Sequence, residues 1–218
     1  LVASVNWQQR HELLRLEVPL AQKAVRLAAD TSGGVIERPA LPQTQRERER
    51  WEVPVISWFA SQSAAPGGGL AALLDGPQGV NASPEQLGMS LLRGATWPDP
   101  SGDQGRHRLR VALLPLQGGW AQSGVPQAAI AFREPGWYGP VRGAKSRNWF
   151  PALPEQLCPA NILPRPDGAR LRLLNPGSSR CRWTPGDGWQ LLREGVLEEF
   201  VVLGPGELVE LQLVQSWS

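Results

Sequence analysis

The feature that most constrains this 218-residue chain is a repeated alternation of apolar and polar side chains in short runs that end at turns. In the longest run, residues 106–114, one face carries His107, Leu109, Val111 and Leu113, and the other carries Arg106, Arg108 and Arg110. Side chains alternate across a β-sheet, so such runs predict strands with one buried and one solvated face. The 24 glycines and 21 prolines disfavour long helices. An all-β fold of antiparallel sheets packed face to face follows.

Turn-forming residues divide the predicted strands into two groups. We predict a main antiparallel β-sandwich over residues 1–135, a proline-rich irregular crossing over 136–166, and a small terminal β-region over 167–218 that packs on the sandwich. Residues 83–92 could start a helix at Ser83, but the short span and Gly88 favour a strand after a turn. The mixed charges of residues 46–50 indicate a solvated loop.

Composition excludes several classes of partner. A net charge of +2 is too small to make nucleic acid the expected partner. No run of about 18 apolar residues predicts a membrane span, and the start shows no signal-peptide core. Cys158 and Cys181 form no CxxC pair, so we expect reduced thiols in a cytoplasmic protein. The first residue is Leu1 within a strand pattern, which indicates a fragment of a longer protein.

Tryptophan is unusually frequent, with ten residues against one tyrosine. Buried tryptophans fill β-sandwich cores, whereas exposed ones often stack on sugar rings. Core packing is the expectation for any single tryptophan.

Motifs for catalysis or metal binding are not visible in the chain. The histidines, His11 and His107, lie outside any zinc-binding spacing, so no metal ligand is predicted. A glycosidase needs two facing carboxylates, and nothing pairs the turn carboxylates Glu37, Asp75, Asp99 and Asp103. Residues 99–105 lack the ligand alternation of a calcium loop. No catalytic residue is therefore predicted in this chain.

Several short segments nevertheless resemble, in order, the C-terminal β-domain of family 38 glycoside hydrolases, the α-mannosidases, and in particular their bacterial and cytosolic branch. The segments are WQQRHELL at 7–14, GVIERP at 34–39, WEVP at 51–54, LLDGPQG at 73–79, SLLR at 90–93 followed by PD at 98–99, GRH at 105–107, ALLP at 112–115, RLLN at 172–175 and ELVELQL at 207–213. Each motif alone is weak evidence for the resemblance, which rests on the order and spacing that the motifs share with the family.

The resemblance implies a galactose-mutarotase-like super-sandwich with a smaller C-terminal sheet region, packed on an N-terminal catalytic barrel of the same polypeptide. Such a parent hydrolyses α-mannosides with zinc. The zinc, nucleophile and acid/base positions of the family have no match here, so this chain alone is expected to be inactive and to hold no cofactor. It would act as a scaffold in mannose metabolism.

The resemblance also implies residues at the rim of the sugar site, where arginine offers several fixed donors to hydroxyls. Arg93 ends the SLLR strand and is the first candidate, with Arg38 and Asp75 behind it. Arg93 shares the sequence parity of the apolar positions 87, 89 and 91, so its charge must leave the core at the sheet edge or have a buried partner. Two alternatives stay open: a free-standing carbohydrate-binding sandwich, and a structural interaction domain without a ligand.

Overall fold

The computed structural model describes residues 1–32, 34–65, 67–76, 78–134, 150–177 and 179–215, which fall into two compact units, Leu1–Pro135 and Gly136–Ser218. The described strands of the first unit are β1 (Val2–Trp7), β2 (Leu13–Pro19), β3 (Ala24–Thr31), β4 (Gly34–Pro39), β5 (Val53–Val55), β6 (Trp58–Ser63), β7 (Gly69–Leu74), β8 (Gln78–Ser83), β9 (Gln86–Arg93) and β10 (Gly105–Pro115). Its helices are α1 (Gln45–Glu49) and α2 (Val125–Arg133).

The strands of the first unit form two antiparallel sheets that confirm the predicted all-β fold. One has the order β1-β10-β7-β6-β3-β4 and the other the order β2-β9-β8-β5. A hydrophobic core joins them, with Phe59 and Leu74 from the first sheet and Val80, Leu87 and Met89 from the second, all at most 2% exposed. The alternating pattern thus buries one face of each sheet against the other.

The outer face of the six-stranded sheet is covered by α2, a helix that the sequence pattern did not predict. Val125 and Ala129 of α2 are fully buried beside Ala60 and Ala71 of the sheet. Alanines at these positions let the helix approach the sheet closely. Proline at the start of α2 fits the first turn, where its missing N–H is not needed.

A β-bulge in the four-stranded sheet corrects the predicted orientation of Arg93. Leu14 pairs with Leu92 but Arg15 pairs with Ser90, so Leu91 is the extra residue of the bulge. The bulge changes the parity of the strand, and Arg93 follows the outward face of Arg15 rather than the core face of Met89. The side chain therefore reaches solvent directly, and no exit through the sheet edge is needed.

The second unit is built from a sheet of order β11-β12-β17-β14-β15 and a two-stranded sheet of β13 and β16. These strands are β11 (Cys158–Arg165), β12 (Gly168–Leu174), β13 (Cys181–Trp183), β14 (Trp189–Arg193), β15 (Val196–Glu198), β16 (Val201–Leu203) and β17 (Leu208–Gln215). Leucines 171, 173, 191, 203, 211 and 213 form its core.

The irregular crossing predicted for 136–166 is wrong in its last part, because residues 158–165 form β11 and pair with β12. Prolines are tolerated there since β11 is an edge strand. Residues 136–149 of the predicted crossing lie outside the described residues. Cys158 and Cys181 are both buried and are not joined by a disulfide. Among the described helices, none is long and apolar enough to cross a membrane.

Candidate functional site

A cluster of hydrogen-bonded polar side chains lies on the outer face of the four-stranded sheet. Arg15 of β2 donates to Asn81 Oδ1 of β8 at 2.6 Å and to Ser90 Oγ of β9 at 2.7 Å. The same guanidinium forms an ion pair with Glu52, to which Ser90 also donates. The Arg15 side chain is only 14% exposed. The outer face of the sheet around Arg15 is therefore a packed polar layer.

Two glycines under this layer make room for it. A Cβ at Gly88 would lie 2.1 Å from Asn81 Oδ1 and 2.4 Å from Arg15 Nη2, and one at Gly79 would lie 2.8 Å from Glu52. The absence of side chains at these positions lets the charged groups lie flat on the sheet. Arg15 in turn supports Trp51, with its guanidinium carbon 4.6 Å from the ring centroid. This cation–π contact holds one face of the exposed indole in place.

An open cleft of about 650 Å³ lies beside Trp51 and is bounded on its far side by Trp97. We call it the Trp51–Trp97 cleft; it is lined by His11, Glu12, Leu13, Glu52, Arg93 and residues 94–96 as well as by the two tryptophans. Trp51 is 55% and Trp97 85% exposed, and among the described tryptophans only these two are exposed. The volume lies within the roughly 300–1,000 Å³ typical of ligand sites.

The position of Arg93 in this cleft is fixed by its backbone. Its N–H donates to Asp103 Oδ2 at 2.6 Å. Gly94 follows in a tight crossing, where an added Cβ would lie 2.5 Å from the Gln9 carbonyl oxygen and 2.8 Å from Arg10 Cα. The Arg93 guanidinium forms no hydrogen bond or ion pair with another described residue and is exposed to the cleft.

A second cavity, of about 310 Å³, is also lined by Trp51 and by Arg38. We call it the Arg38 cavity. Its other charged lining residues are Glu47, Arg48 and Arg50 of the α1 region, and its walls are otherwise mainly apolar. Trp51 lines both cavities, so Arg93 and Arg38 line two cavities that share one tryptophan.

The third rim candidate, Asp75, lines neither cavity. Its carboxylate accepts from Arg110 Nε at 2.8 Å and from Arg110 Nη2 at 2.6 Å. This bidentate hydrogen bonding lowers the pKa of Asp75 below its ordinary value. Both carboxylate oxygens are therefore already occupied.

The described residues do not fit a zinc ion, because no group of three or more His, Cys, Asp or Glu side chains among them could hold a metal. His107 Nε2 lies 2.8 Å from the Asp103 carbonyl oxygen and His11 Nε2 lies 3.5 Å from Thr96 Oγ1.

Asp99 caps the following turn by accepting from the N–H and hydroxyl of Ser101, and the N–H bond lowers the pKa of Asp99. The Asp99 carboxylate thus binds local backbone, as is common in turns, whereas the Asp103 carboxylate accepts from the N–H of Arg93, ten residues earlier.

The α1 helix replaces the loop predicted for residues 46–50 and forms one wall of the Arg38 cavity. Thr44 accepts from the Glu47 N–H, and the Glu47 carboxylate accepts from the N–H groups of Gln43 and Thr44 at 2.8 and 2.9 Å. This capping box has a sequence signature, threonine followed three residues later by glutamate, that could have predicted the helix. The Arg15 cluster has no such signature, because the partners of Arg15 are 37 to 75 residues from it in sequence.

Comparison with known proteins shows which family the sandwich of the first unit is similar to. Residues 1–101 match the family model described as the glycosyl hydrolases family 38 C-terminal domain. The chain is 32% identical to human alpha-mannosidase 2C1 over 131 residues, which is 60% of this chain and 12% of the human protein. It is 30% identical to alpha-mannosidase G of Dictyostelium discoideum over 122 residues, 56% of this chain and 11% of that protein. The alignments thus span about an eighth of these relatives.

Solved structures show the same fold. The crystal structure of an alpha-mannosidase from Enterococcus faecalis V583 aligns with a TM-score of 0.70 and 16% identity over 98% of this chain and 27% of that one. A second Enterococcus faecalis protein of glycosyl hydrolase family 38 aligns with a TM-score of 0.67 and 14% identity, over 97% of this chain and 27% of that one.

The all-β fold of this chain is thus similar to part of these family 38 structures. Residues 1–101 match the glycosyl hydrolases family 38 C-terminal domain, and the predicted resemblance is confirmed.

Proposed function

We propose that this chain is the C-terminal, non-catalytic part of an α-mannosidase-like glycoside hydrolase, and that it packs on a catalytic domain of the same polypeptide. The observation that carries the proposal is the family match over residues 1–101, together with relatives that are themselves named alpha-mannosidases. The parent enzyme would cleave α-mannosides with two carboxylates by double displacement. Those carboxylates and the zinc would lie in the catalytic domain, since the described residues of this chain offer no metal-binding group.

Within this role, the Trp51–Trp97 cleft would face the sugar. Exposed indoles present apolar faces that stack on the C–H face of a pyranose, and the guanidinium of Arg93 lies in the same cleft. Its fixed donors suit the hydroxyls of a mannoside. Arg93 is therefore proposed as the rim residue that contacts substrate. Arg38, in the neighbouring cavity, remains the weaker candidate. Asp75 is proposed to be structural, because Arg110 occupies both of its oxygens.

Substitution of Arg93 in the complete enzyme tests the rim role. Arg93→Gln should lower kcat/KM for a small α-mannoside by roughly ten- to a hundred-fold, because a hydrogen bond from a charged donor contributes about 1.5–3 kcal/mol. Arg93→Lys should restore little, since an ammonium cannot reproduce the fork. Arg106→Gln, an exposed arginine of β10, is the matched control. Unchanged kinetics for Arg93→Gln, or a lowered melting temperature alone, would make Arg93 structural.

A second candidate function is carbohydrate binding by this region without a catalytic partner, which the 85% exposure of Trp97 favours. Titration of the isolated chain with mannose and with α-linked manno-oligosaccharides by calorimetry would distinguish the two. Binding that Trp97→Ala abolishes supports an independent carbohydrate site. The absence of any binding at millimolar sugar favours the scaffold role, and it also leaves open a structural interaction domain.

A cytoplasmic location is part of the same proposal. It is supported by two buried cysteines that are not joined by a disulfide, as expected in a reducing compartment. Fractionation of the native cells with antibodies to this chain would test it, and recovery in the secreted fraction would contradict it.

A further inference from the structure

Arg38 occupies an unusual position for a charged side chain. It lies on β4, the edge strand of the six-stranded sheet, directly opposite Leu27 of β3. Cross-strand partners share one face of a sheet, and Leu27 belongs to the core between the two sheets. Arg38 is accordingly half-buried, with its charge at the mouth of the core.

Glu47 attracts the charge of Arg38, but no described side chain forms an ion pair with it. The Arg38 guanidinium forms no ion pair or hydrogen bond with another residue of the described ranges, and neither Arg48 nor Arg50 of the same cavity forms an ion pair within those ranges. Glu47 is the carboxylate of the cavity lining, and its Oε2 accepts from two backbone N–H groups of the α1 cap. Burial, opposed by Glu47 and reinforced by Arg50, lowers the pKa of Arg38. The cavity thus concentrates positive charge against apolar walls, where electrostatic attraction is less screened than in water.

We infer that the Arg38 cavity binds an oxyanion carried on a sugar, a phosphate or sulfate monoester, with Arg38 as its principal ligand. Guanidinium groups bind such oxyanions through paired N–H donors. The cavity volume of about 310 Å³ accommodates the anionic group. Trp51 forms the boundary toward the neighbouring cleft, so the sugar ring that carries the ester would rest on its indole. This inference goes beyond the proposed α-mannosidase role and does not depend on it.

Calorimetric titration of the whole protein at low ionic strength tests the site with four probes: inorganic phosphate, inorganic sulfate, mannose 6-phosphate and mannose. Mannose 6-phosphate should bind with one equivalent per chain and at least tenfold more tightly than inorganic phosphate, and mannose should not compete with it. Arg38→Gln should weaken mannose 6-phosphate binding by about ten- to a hundred-fold, the range expected for a charged hydrogen bond. Arg38→Lys should give an intermediate loss, and Trp51→Ala should remove the preference for the ester over inorganic phosphate.

Arg106→Gln removes the same charge from β10, outside the residues that line the cavity, and should leave the affinity unchanged. Circular dichroism and a thermal melt of each variant establish that it is folded. No heat with any anion, or equal losses in Arg38→Gln and Arg106→Gln, would overturn the site. Equal affinity for inorganic phosphate and mannose 6-phosphate would overturn the assignment to a sugar ester. Binding of mannose as tight as that of its phosphate would make the cavity a neutral sugar site and contradict the inference.

Discussion

The two outer faces of the first unit's sandwich are covered in opposite ways. On the six-stranded sheet, Trp58 stacks on Trp120 with ring centroids 5.1 Å apart, and α2 adds apolar cover. On the four-stranded sheet, the layer consists of Arg15 and its hydrogen-bonded partners, with Trp51 above. Apolar cover contributes mainly to stability. A polar layer contributes less to stability but fixes the orientation of exposed groups, and both candidate cavities adjoin this second face.

Removal of Trp58 should give the largest effect on folding. This side chain is 2% exposed in the apolar layer, and Trp58→Ala leaves a large cavity beside Trp120. We expect a loss of about 3–5 kcal/mol in the free energy of unfolding. Urea denaturation followed by far-ultraviolet circular dichroism measures it. A loss below about 1 kcal/mol would mean that the α2 face is not a core and would remove the contrast between the two faces.

Breaking the polar layer should cost less, and the cost should depend on how it is broken. Arg15→Met leaves the Glu52 carboxylate, 26% exposed, with Ser90 as its remaining partner, and should cost about 1–3 kcal/mol. The double variant Arg15→Met/Glu52→Leu removes both charges and should lie closer to the wild type than Arg15→Met does. Urea denaturation of both variants checks this. If the double variant were less stable than Arg15→Met alone and Glu52→Leu alone, the ion pair itself would stabilise the sheet.

The pH dependence of stability should show opposite signs at two carboxylates of the six-stranded sheet region. Burial raises the pKa of Asp30 despite its hydrogen bonds with Ser57, whereas the Arg110 guanidinium lowers the pKa of Asp75. A raised carboxyl pKa gives stability that is fully present below the unfolded-state pKa and is lost as the pH rises through the folded-state pKa. A lowered carboxyl pKa gives stability that is present above the unfolded-state pKa and is lost as the pH falls through the folded-state pKa.

Comparison of Asp30→Asn and Asp75→Asn with the wild type by denaturation from about pH 3 to pH 8 measures both contributions. Wild-type stability relative to Asp30→Asn should fall with rising pH, and relative to Asp75→Asn it should rise. Slopes of the same sign would contradict the assignment of Asp30 to a desolvated position in the apolar layer.

The sequence predicted the sheets and much of the core because strand periodicity is a local signal. Leu87 and Met89 are buried as the alternation requires, and Val111 is too. The buried or exposed positions predicted from the alternation are wrong where a strand is locally irregular. The bulge at Leu91 turned Arg93 to the outer face, and Leu113 near the end of β10 is 47% exposed although its parity placed it inward.

The candidate site was predicted only in part, and the reason is physical. Arg93 and Arg38 were identified by resemblance, but their placement in two cavities that share Trp51 depends on long-range pairing of β2, β9, β8 and β5. Trp51 itself shares the parity of Val53 and Val55, so periodicity placed it in the core. The structure leaves it 55% exposed, because it precedes β5 and follows the end of α1. No local pattern reveals that Arg15 lies beneath it.

Trp51→Ala should give the smallest change in stability and a large change in binding. The indole is more than half exposed, and its described support is the cation–π contact with Arg15 at 4.6 Å, a contribution of about 0.5–1 kcal/mol at an exposed site. The free energy of unfolding should thus fall by no more than about 1 kcal/mol, against the larger loss at Trp58. Binding at both cavities should weaken together, because Trp51 lines each of them. Denaturation and calorimetry on the same sample measure the two quantities. If Trp51→Ala destabilised the fold as much as Trp58→Ala, the polar face would be a second core, and the separation of stability from recognition in this sandwich would fail.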